Sequence, residues 1–217
     1  MYTDFENVLT KANFPCGVAT LTELTAVGIT KHHLHELCKR EMLTRLEHGV
    51  YKIEAIKEFD RRAVIAKALP EAVFCMSDSL YIYGLRKTKP FVSEVAVPRR
   101  ISYCKCQKIK DSQNIKFRFI TKEYELGIEK TPEGLKHYNL ERTVCDYFIH
   151  HTEYRYRTLR NIAIEYRKRE DKNIDRLEEY IQKLDLSEAA KEKINWLIIR
   201  RVRKNPKVKY TVPKDRY

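Results

Sequence analysis

Residues 20–53 read Thr20-Leu21-Thr22-Glu23-Leu24-Thr25-Ala26-Val27-Gly28-Ile29-Thr30-Lys31-His32-His33-Leu34-His35-Glu36-Leu37-Cys38-Lys39-Arg40-Glu41-Met42-Leu43-Thr44-Arg45-Leu46-Glu47-His48-Gly49-Val50-Tyr51-Lys52-Ile53. Thr20 and Glu23 have the spacing of a capping box: the hydroxyl accepts from the Glu23 amide, and the carboxylate reaches back to the Thr20 amide. A short helix follows, apolar at Leu21, Leu24 and Val27, and Gly28 ends it. Thr30 caps the next helix, Lys31 to about Met42. Its apolar stripe is Leu34, Leu37, Cys38 and Met42, and its other face presents Lys31, His32, His35, Glu36 and Lys39. Two β-prone runs then flank Glu47-His48-Gly49, where Gly49 can take a positive φ, the pattern of a hairpin. Ahead of this stretch, Phe5, Val8, Leu9 and Ala12 share one face of a helix over 2–12, broken at Pro15-Cys16-Gly17. Helix, short helix, tight turn, helix, hairpin is the order of a winged helix-turn-helix.

Beyond the hairpin the pattern alternates between strands and helices. A helix is expected over 56–69, with Phe59, Ala63, Ala66 and Leu69 inward and Pro70 stopping it. Ala72–Met76 reads as a buried strand, and Ser77 as the cap of a helix running to Gly84. Phe91–Val97 and Ile115–Thr121 read as strands, and Cys104 and Cys106 have strand spacing with both thiols on one face. Tyr124–Lys130 and Leu135–Tyr138 read as strands around the Thr131–Gly134 turn, and Asn139 caps a helix bearing Leu140, Val144, Tyr147 and Phe148. Arg142 and Asp146, four apart on that helix, read as a local ion pair or cap support, worth tenths of a kcal/mol. Residues 154–204 read as helical throughout, with Ser187 capping the last helix, and the tail from Asn205 is polar and extended. The expected fold class is α+β: a winged helix-turn-helix over 1–55, followed by 56–217, mixed α/β over 56–153 and helical and basic over 154–217.

The chain has 217 residues, with 43 Lys+Arg against 30 Asp+Glu and a net charge of +13. The charge is uneven: residues 1–52 are neutral and hold four of the seven histidines, 53–112 carry +5, 113–153 carry −1, and 154–217 carry +9. Such a field favours polyanions such as nucleic acid, an anionic membrane surface or an acidic protein, and a solvated lysine-rich surface is the plain alternative. With 34% charged residues, 6 Gly and 7 Pro, the chain is neither collagenous nor of low complexity. No apolar run approaches the ~20 residues a bilayer requires, and Met1–Glu6 lacks the apolar core of a signal peptide, so a cytoplasmic protein with no membrane partner is expected. The six cysteines, at 16, 38, 75, 104, 106 and 145, are then expected as reduced thiols.

No site for catalysis is legible. Gly84, Gly127 and Gly134 stand alone, which excludes a Gly-rich phosphate loop. Ser77-Asp78-Ser79 lacks the glycines of a nucleophile elbow. The acidic residues Glu94, Asp111, Glu123, Glu125 and Glu129 do not form the Asp…Glu-x-Lys arrangement of a metal-dependent nuclease. Cys104/Cys106 and His32/His35 lack a second chelating pair, so neither metal nor cofactor is expected.

Three stretches together resemble the AbiEi family of antitoxins, found in type IV toxin–antitoxin and phage-abortive systems. They are the 20–51 stretch with Gly28-Ile29 and His48-Gly49-Val50-Tyr51, the segment Ser77-Asp78-Ser79-Leu80-Tyr81-Ile82-Tyr83-Gly84-Leu85, and Tyr138-Asn139-Leu140-Glu141-Arg142-Thr143-Val144-Cys145-Asp146-Tyr147-Phe148. The resemblance extends over residues 1 to about 150. It implies an antitoxin domain over 56–217, and a DNA-binding repressor of its own operon that antagonises a nucleotidyltransferase-type toxin encoded beside it. Two alternatives are a stand-alone winged-helix regulator and a nucleic-acid-processing enzyme targeted by a winged helix.

In the DNA-binding reading the Lys31–Met42 helix enters the major groove. Lys31, His32, His35 and Lys39 then face the bases, with Glu36 an acceptor for cytosine N4. Arg45, His48 and Lys52 on the hairpin would contact phosphates, and Arg200, Arg201, Arg203 and Lys204 would form a second phosphate surface, a solvated helix face being the alternative for that cluster. The partner is double-stranded DNA of the chain's own promoter.

Overall fold

A computed structural model of the chain describes residues 7–9, 12, 14–101, 103–150 and 156–204. It is a mixed α+β structure of two compact units, each discontinuous in sequence. One gathers Met1–Val73, Val95–Phe119 and Lys130–Lys136, the other Phe74–Glu94, Ile120–Glu129 and His137–Tyr217. Of the helix expected over 2–12, residues 7–9 are helical and 12 is a bend; the rest, like the tail from 205, lies outside the described residues.

The first unit opens with β1 (Val18–Thr20), α1 (Leu21–Ala26), α2 (Lys31–Lys39), β2 (Leu43–Glu47) and β3 (Val50–Ile53). Thr20 Oγ1 accepts from the Glu23 amide at 3.2 Å, and Glu23 Oε2 accepts from the Thr20 amide at 2.7 Å, so the capping box forms as expected. Gly28, at φ +89°, closes α1: its amide reaches Thr25 O, the Ile29 amide reaches Leu24 O, and the fully buried Ile29 and Leu24 side chains join the same core. Thr30 caps α2 by accepting from the His33 amide at 3.3 Å. The end of α2 repeats the same closure with Glu41, at φ +57°, in the place glycine usually takes.

The hairpin turns through His48 and Gly49, the latter at φ +72°. The strands form an antiparallel sheet in the order β1-β3-β2, with Ala19 opposite Tyr51, Arg45 opposite Tyr51 on the other side, and a bulge between Arg45 and Glu47. Helices and sheet enclose a core of Leu9, Phe14, Ala19, Leu24, Ile29, Leu37, Leu43, Tyr51 and Ile53, with Leu21, Leu34, Cys38 and Met42 packed against it.

Helix α3 spans Arg61–Ala68, starting later than expected because Asp60 caps it, accepting from the Arg62 amide at 2.9 Å. Phe59 therefore precedes the helix and is exposed, not inward. The strand expected around Cys104 is also a helix, α5 (Tyr103–Gln113): Cys106, Ile109 and Gln113 are buried at helical intervals while Cys104 faces solvent.

The remaining strands are β4 (Val73–Phe74), β5 (Ser93–Pro98), β6 (Ile115–Ile120), β7 (Ile128–Lys130) and β8 (Lys136–Tyr138), in a sheet ordered β6-β5-β4-β8-β7. β4 and β8 are parallel, with Phe74 opposite His137. Tyr124–Gly127, expected as strand, forms a bend and turn. In the second unit α4 (Ser77–Ile82) follows Met76, which has φ +50° and ψ −117°. Ser77 is the first helical residue rather than the cap. Its amide (3.3 Å) and hydroxyl (2.7 Å) both donate to Glu94 Oε2, so a buried carboxylate from β5 satisfies the helix start.

The centre of this unit is α6 (Leu140–Ile149), capped by Asn139 and buried at every position from Leu140 to Phe148. α4, α7 (Tyr156–Lys168), α8 (Ile174–Lys183) and α9 (Glu188–Ile194) pack around it. α9 continues through a π-helical turn (Asn195–Ile199) into α10 (Arg200–Lys204).

Candidate nucleic-acid interface

The polar face of α2 and the tip of the β2–β3 hairpin meet at one groove of the first unit. Lys31 and His35 of α2 and Arg45 and His48 of the hairpin line it, over a floor of Leu21, Leu34, Cys38 and Tyr51. Its volume is about 510 Å³, and no carboxylate is among its lining residues. The local cause is the sequence spacing. Lys31, Leu34, His35 and Cys38 recur at three- and four-residue intervals and so share one side of α2. Arg45 and His48 are brought together by the bulged hairpin end, where Arg45 Nη2 lies 3.1 Å from His48 Nδ1 and Arg45 Nε donates to Glu47 O at 3.4 Å. Burial pushes the Cys38 thiol up, against the pull of the Arg45 guanidinium.

The other residues expected at this interface stand outside the groove. His32 is exposed on α2 and edges against His33, ring centroids 6.1 Å apart. Glu36 pairs with Lys39 at 3.5 Å, an internal pair on the helix surface. Lys52 pairs with Glu54 and sits over the Phe59 ring, 5.6 Å from its centroid. The bonds from Lys52 and Thr44 hold the Glu54 carboxyl below the usual carboxylate range. Lys31, by contrast, enters no ion pair among the described residues and leaves its charge to solvent.

In the second unit Arg200, Arg201 and Arg203 are exposed on α10, and Lys204 is its last residue. Arg203 Nη2 is held by both Glu178 oxygens at 2.8 and 2.9 Å, so its charge is already answered. The groove it borders also carries Glu179, Glu188 and Glu192, a mixed surface quite unlike the carboxylate-free one beside α2.

Sequence reasoning missed the buried polar residues of the second unit. Glu94, 7% exposed, is hidden inside the apolar run Val92–Val97, and its own amide donates to Asp78 Oδ2 at 2.7 Å. Arg142 donates from Nε to Asp146 at 2.8 Å and from Nη1 to Glu123 O (2.6 Å) and Leu126 O (3.0 Å), with its guanidinium 4.3 Å from the Tyr138 ring centroid. This is no surface pair, since the two side chains are 3% and 8% exposed. Glu141 Oε1 accepts from Tyr166 Oη at 3.2 Å and the Asn173 amide at 2.9 Å, tying α6 to the start of α8. A strained residue does stand between β4 and α4, but it is the buried Met76, and the Ser77 hydroxyl is engaged with Glu94.

Among the described residues no group of three or more His, Cys, Asp or Glu side chains is placed to hold a metal ion, and no helix is long and apolar enough to cross a membrane. Compared with known proteins, the chain matches no family model and no curated protein.

Proposed function

We propose that β1, α1, α2 and the β2–β3 hairpin form a winged helix and that the protein binds duplex DNA through it. The observation that carries this reading is the groove between α2 and the hairpin: four basic side chains from two elements converge there, with no carboxylate beside them. Phosphate oxygens need such a surface, and base edges need a helix that can enter the major groove. In this reading α2 is the reader, with Lys31 and His35 nearest the bases, and Arg45 and His48 hold the backbone.

Within that class, the particular role we propose is an AbiEi-type antitoxin that represses its own promoter and counters a nucleotidyltransferase-type toxin encoded beside it. The support is the sequence resemblance over 1 to about 150, whose Ser77–Leu85 and Tyr138–Phe148 stretches contain α4 and most of α6, adjoining helices of one unit. A stand-alone winged-helix regulator shares the DNA-binding half of this proposal.

The experiment is binding of the full chain to its own upstream duplex and to random duplex. Lys31→Ala and His35→Ala should each cost about 1–3 kcal/mol on the upstream duplex and relax the preference between the two. Arg45→Ala should weaken both alike. Equal effects of all three on both duplexes would remove α2 as the reader. Co-expression of the full chain with the adjacent reading frame separates the two roles: relief of growth arrest supports the antitoxin, and a harmless neighbour leaves the stand-alone regulator.

A further inference from the structure

The contact between Arg45 and His48 has a chemical consequence. A guanidinium carries only N–H groups and stays charged, so across the 3.1 Å between Arg45 Nη2 and His48 Nδ1 the arginine donates and the imidazole nitrogen accepts. An accepting Nδ1 carries no proton. While this contact stands, Nδ1 of His48 is the acceptor, and Arg45 spends Nη2 on His48 and Nε on Glu47 O.

The groups facing His48 across the groove are Lys31, His35 and Cys38 from α2, Arg45 from β2 and Tyr51 from β3, with the apolar Leu21 and Leu34. No carboxylate lines the groove to compensate a new charge, and Glu47, next to His48 on the hairpin, accepts from Gln113 Nε2 at 3.1 Å. Without an anion, a proton on His48 meets Arg45 at hydrogen-bond distance and Lys31 across the groove. With an anion in the groove, the same proton is favoured.

We infer that this groove is a phosphate site that takes up a proton as it fills: His48 Nδ1 gains a proton from solvent, the Arg45–His48 hydrogen bond breaks, and both side chains turn their N–H groups to one DNA phosphodiester. The inference rests on the DNA-binding reading and adds its regulation. Histidine is the side chain whose charge ordinarily changes between pH 5 and 8, whereas a phosphodiester stays ionised throughout that range. Proton uptake on binding then makes affinity rise as pH falls, by linkage, up to tenfold per pH unit for each proton taken up.

The test is fluorescence anisotropy of the full chain on its upstream duplex from pH 5.8 to 7.8 at constant ionic strength. Wild type should bind more tightly with falling pH. His48→Gln keeps an acceptor for Arg45 but cannot take the charge, and His48→Lys carries the charge at every pH. Both should flatten the pH dependence by close to one proton, with the Lys variant binding more tightly than the Gln variant at pH 7.8. An unchanged slope in both variants, or a wild-type profile without slope, overturns the inference while leaving DNA binding intact. An absence of binding at every pH overturns the DNA-binding reading itself.

Discussion

Arg142 illustrates what a single residue does when its surroundings close over it. On the sequence it is one half of an i, i+4 pair, and such pairs on exposed helices are worth tenths of a kcal/mol. In the structure it is 2% exposed and binds Asp146 and two backbone carbonyls of the 123–126 segment. Gly127 closes that segment at φ +80°, where a Cβ would lie 3.0 Å from Arg142 Cβ and 3.1 Å from Asn139 Oδ1. Arg142→Met strips Asp146 of this cation in a buried place and releases both carbonyls, so urea unfolding should show a loss of about 3–5 kcal/mol. A loss below 1 kcal/mol would mean that the pair is solvated. Glu41 points the other way. It holds φ +57° at the end of α2, a conformation that costs an L residue about 1–2 kcal/mol. Glu41→Gly relieves that strain at some cost in unfolded-state entropy, and the same unfolding measurement should show a net gain of about 0.5–1 kcal/mol.

At the scale of elements, local signals were legible and distant ones were not. The Thr20–Glu23 box, the Thr30, Asn139 and Ser187 caps, the Gly28 closure and the turn at Gly49 all depend on residues within five positions of one another, and all form. The Lys31, His35, Arg45 and His48 groove was legible in part, because helix periodicity fixes one wall and hairpin chemistry the other. Glu94 and Arg142 were not, because burying a charge requires partners that the chain supplies from Ser77, 17 residues away, and Glu123, 19 residues away. Cys104–Gln113 failed for another reason: a two-residue spacing of thiols reads as a strand, and the helical intervals of Cys106, Ile109 and Gln113 show only over a longer window.

One link between elements has a pH signature. Lys67 of α3 meets both oxygens of Glu23 on α1 at 2.6 Å. Burial alone would raise the Glu23 carboxyl, but the bonds from Lys67 and Thr20 outweigh it and hold the carboxyl below its ordinary 4.5. A lowered folded-state value stabilises the protein above pH 4.5 and ceases to do so as pH falls through that lowered value. Lys67→Met should therefore cost stability at pH 7, by about 0.5–1 kcal/mol for so exposed a carboxylate, and the deficit should shrink toward pH 3. A deficit independent of pH would assign the loss to packing of the lysine stem.

For the whole molecule, the net charge of +13 is a property of the chain more than of its proposed reading head, since residues 1–52 are neutral in sum. What distinguishes the head is arrangement: Glu36 and Glu54 are engaged with Lys39 and Lys52, and the groove cations face no acid. The excess lies toward the C-terminal end, +9 over 154–217, with Arg200 and Arg201 unpaired among the described residues and Arg203 answered by Glu178.

The measurement that bears most directly on DNA binding is the salt dependence of the full chain's affinity for its own upstream duplex, by fluorescence anisotropy between 50 and 200 mM salt. With about five to eight phosphates engaged and a slope of roughly −0.9 per contact, log K should fall against log salt with a slope of about −4.5 to −7. Arg45→Ala should make that slope shallower by about one contact. A full chain that fails to bind the duplex at 50 mM salt, or binds it with an affinity that salt does not change, would contradict the account.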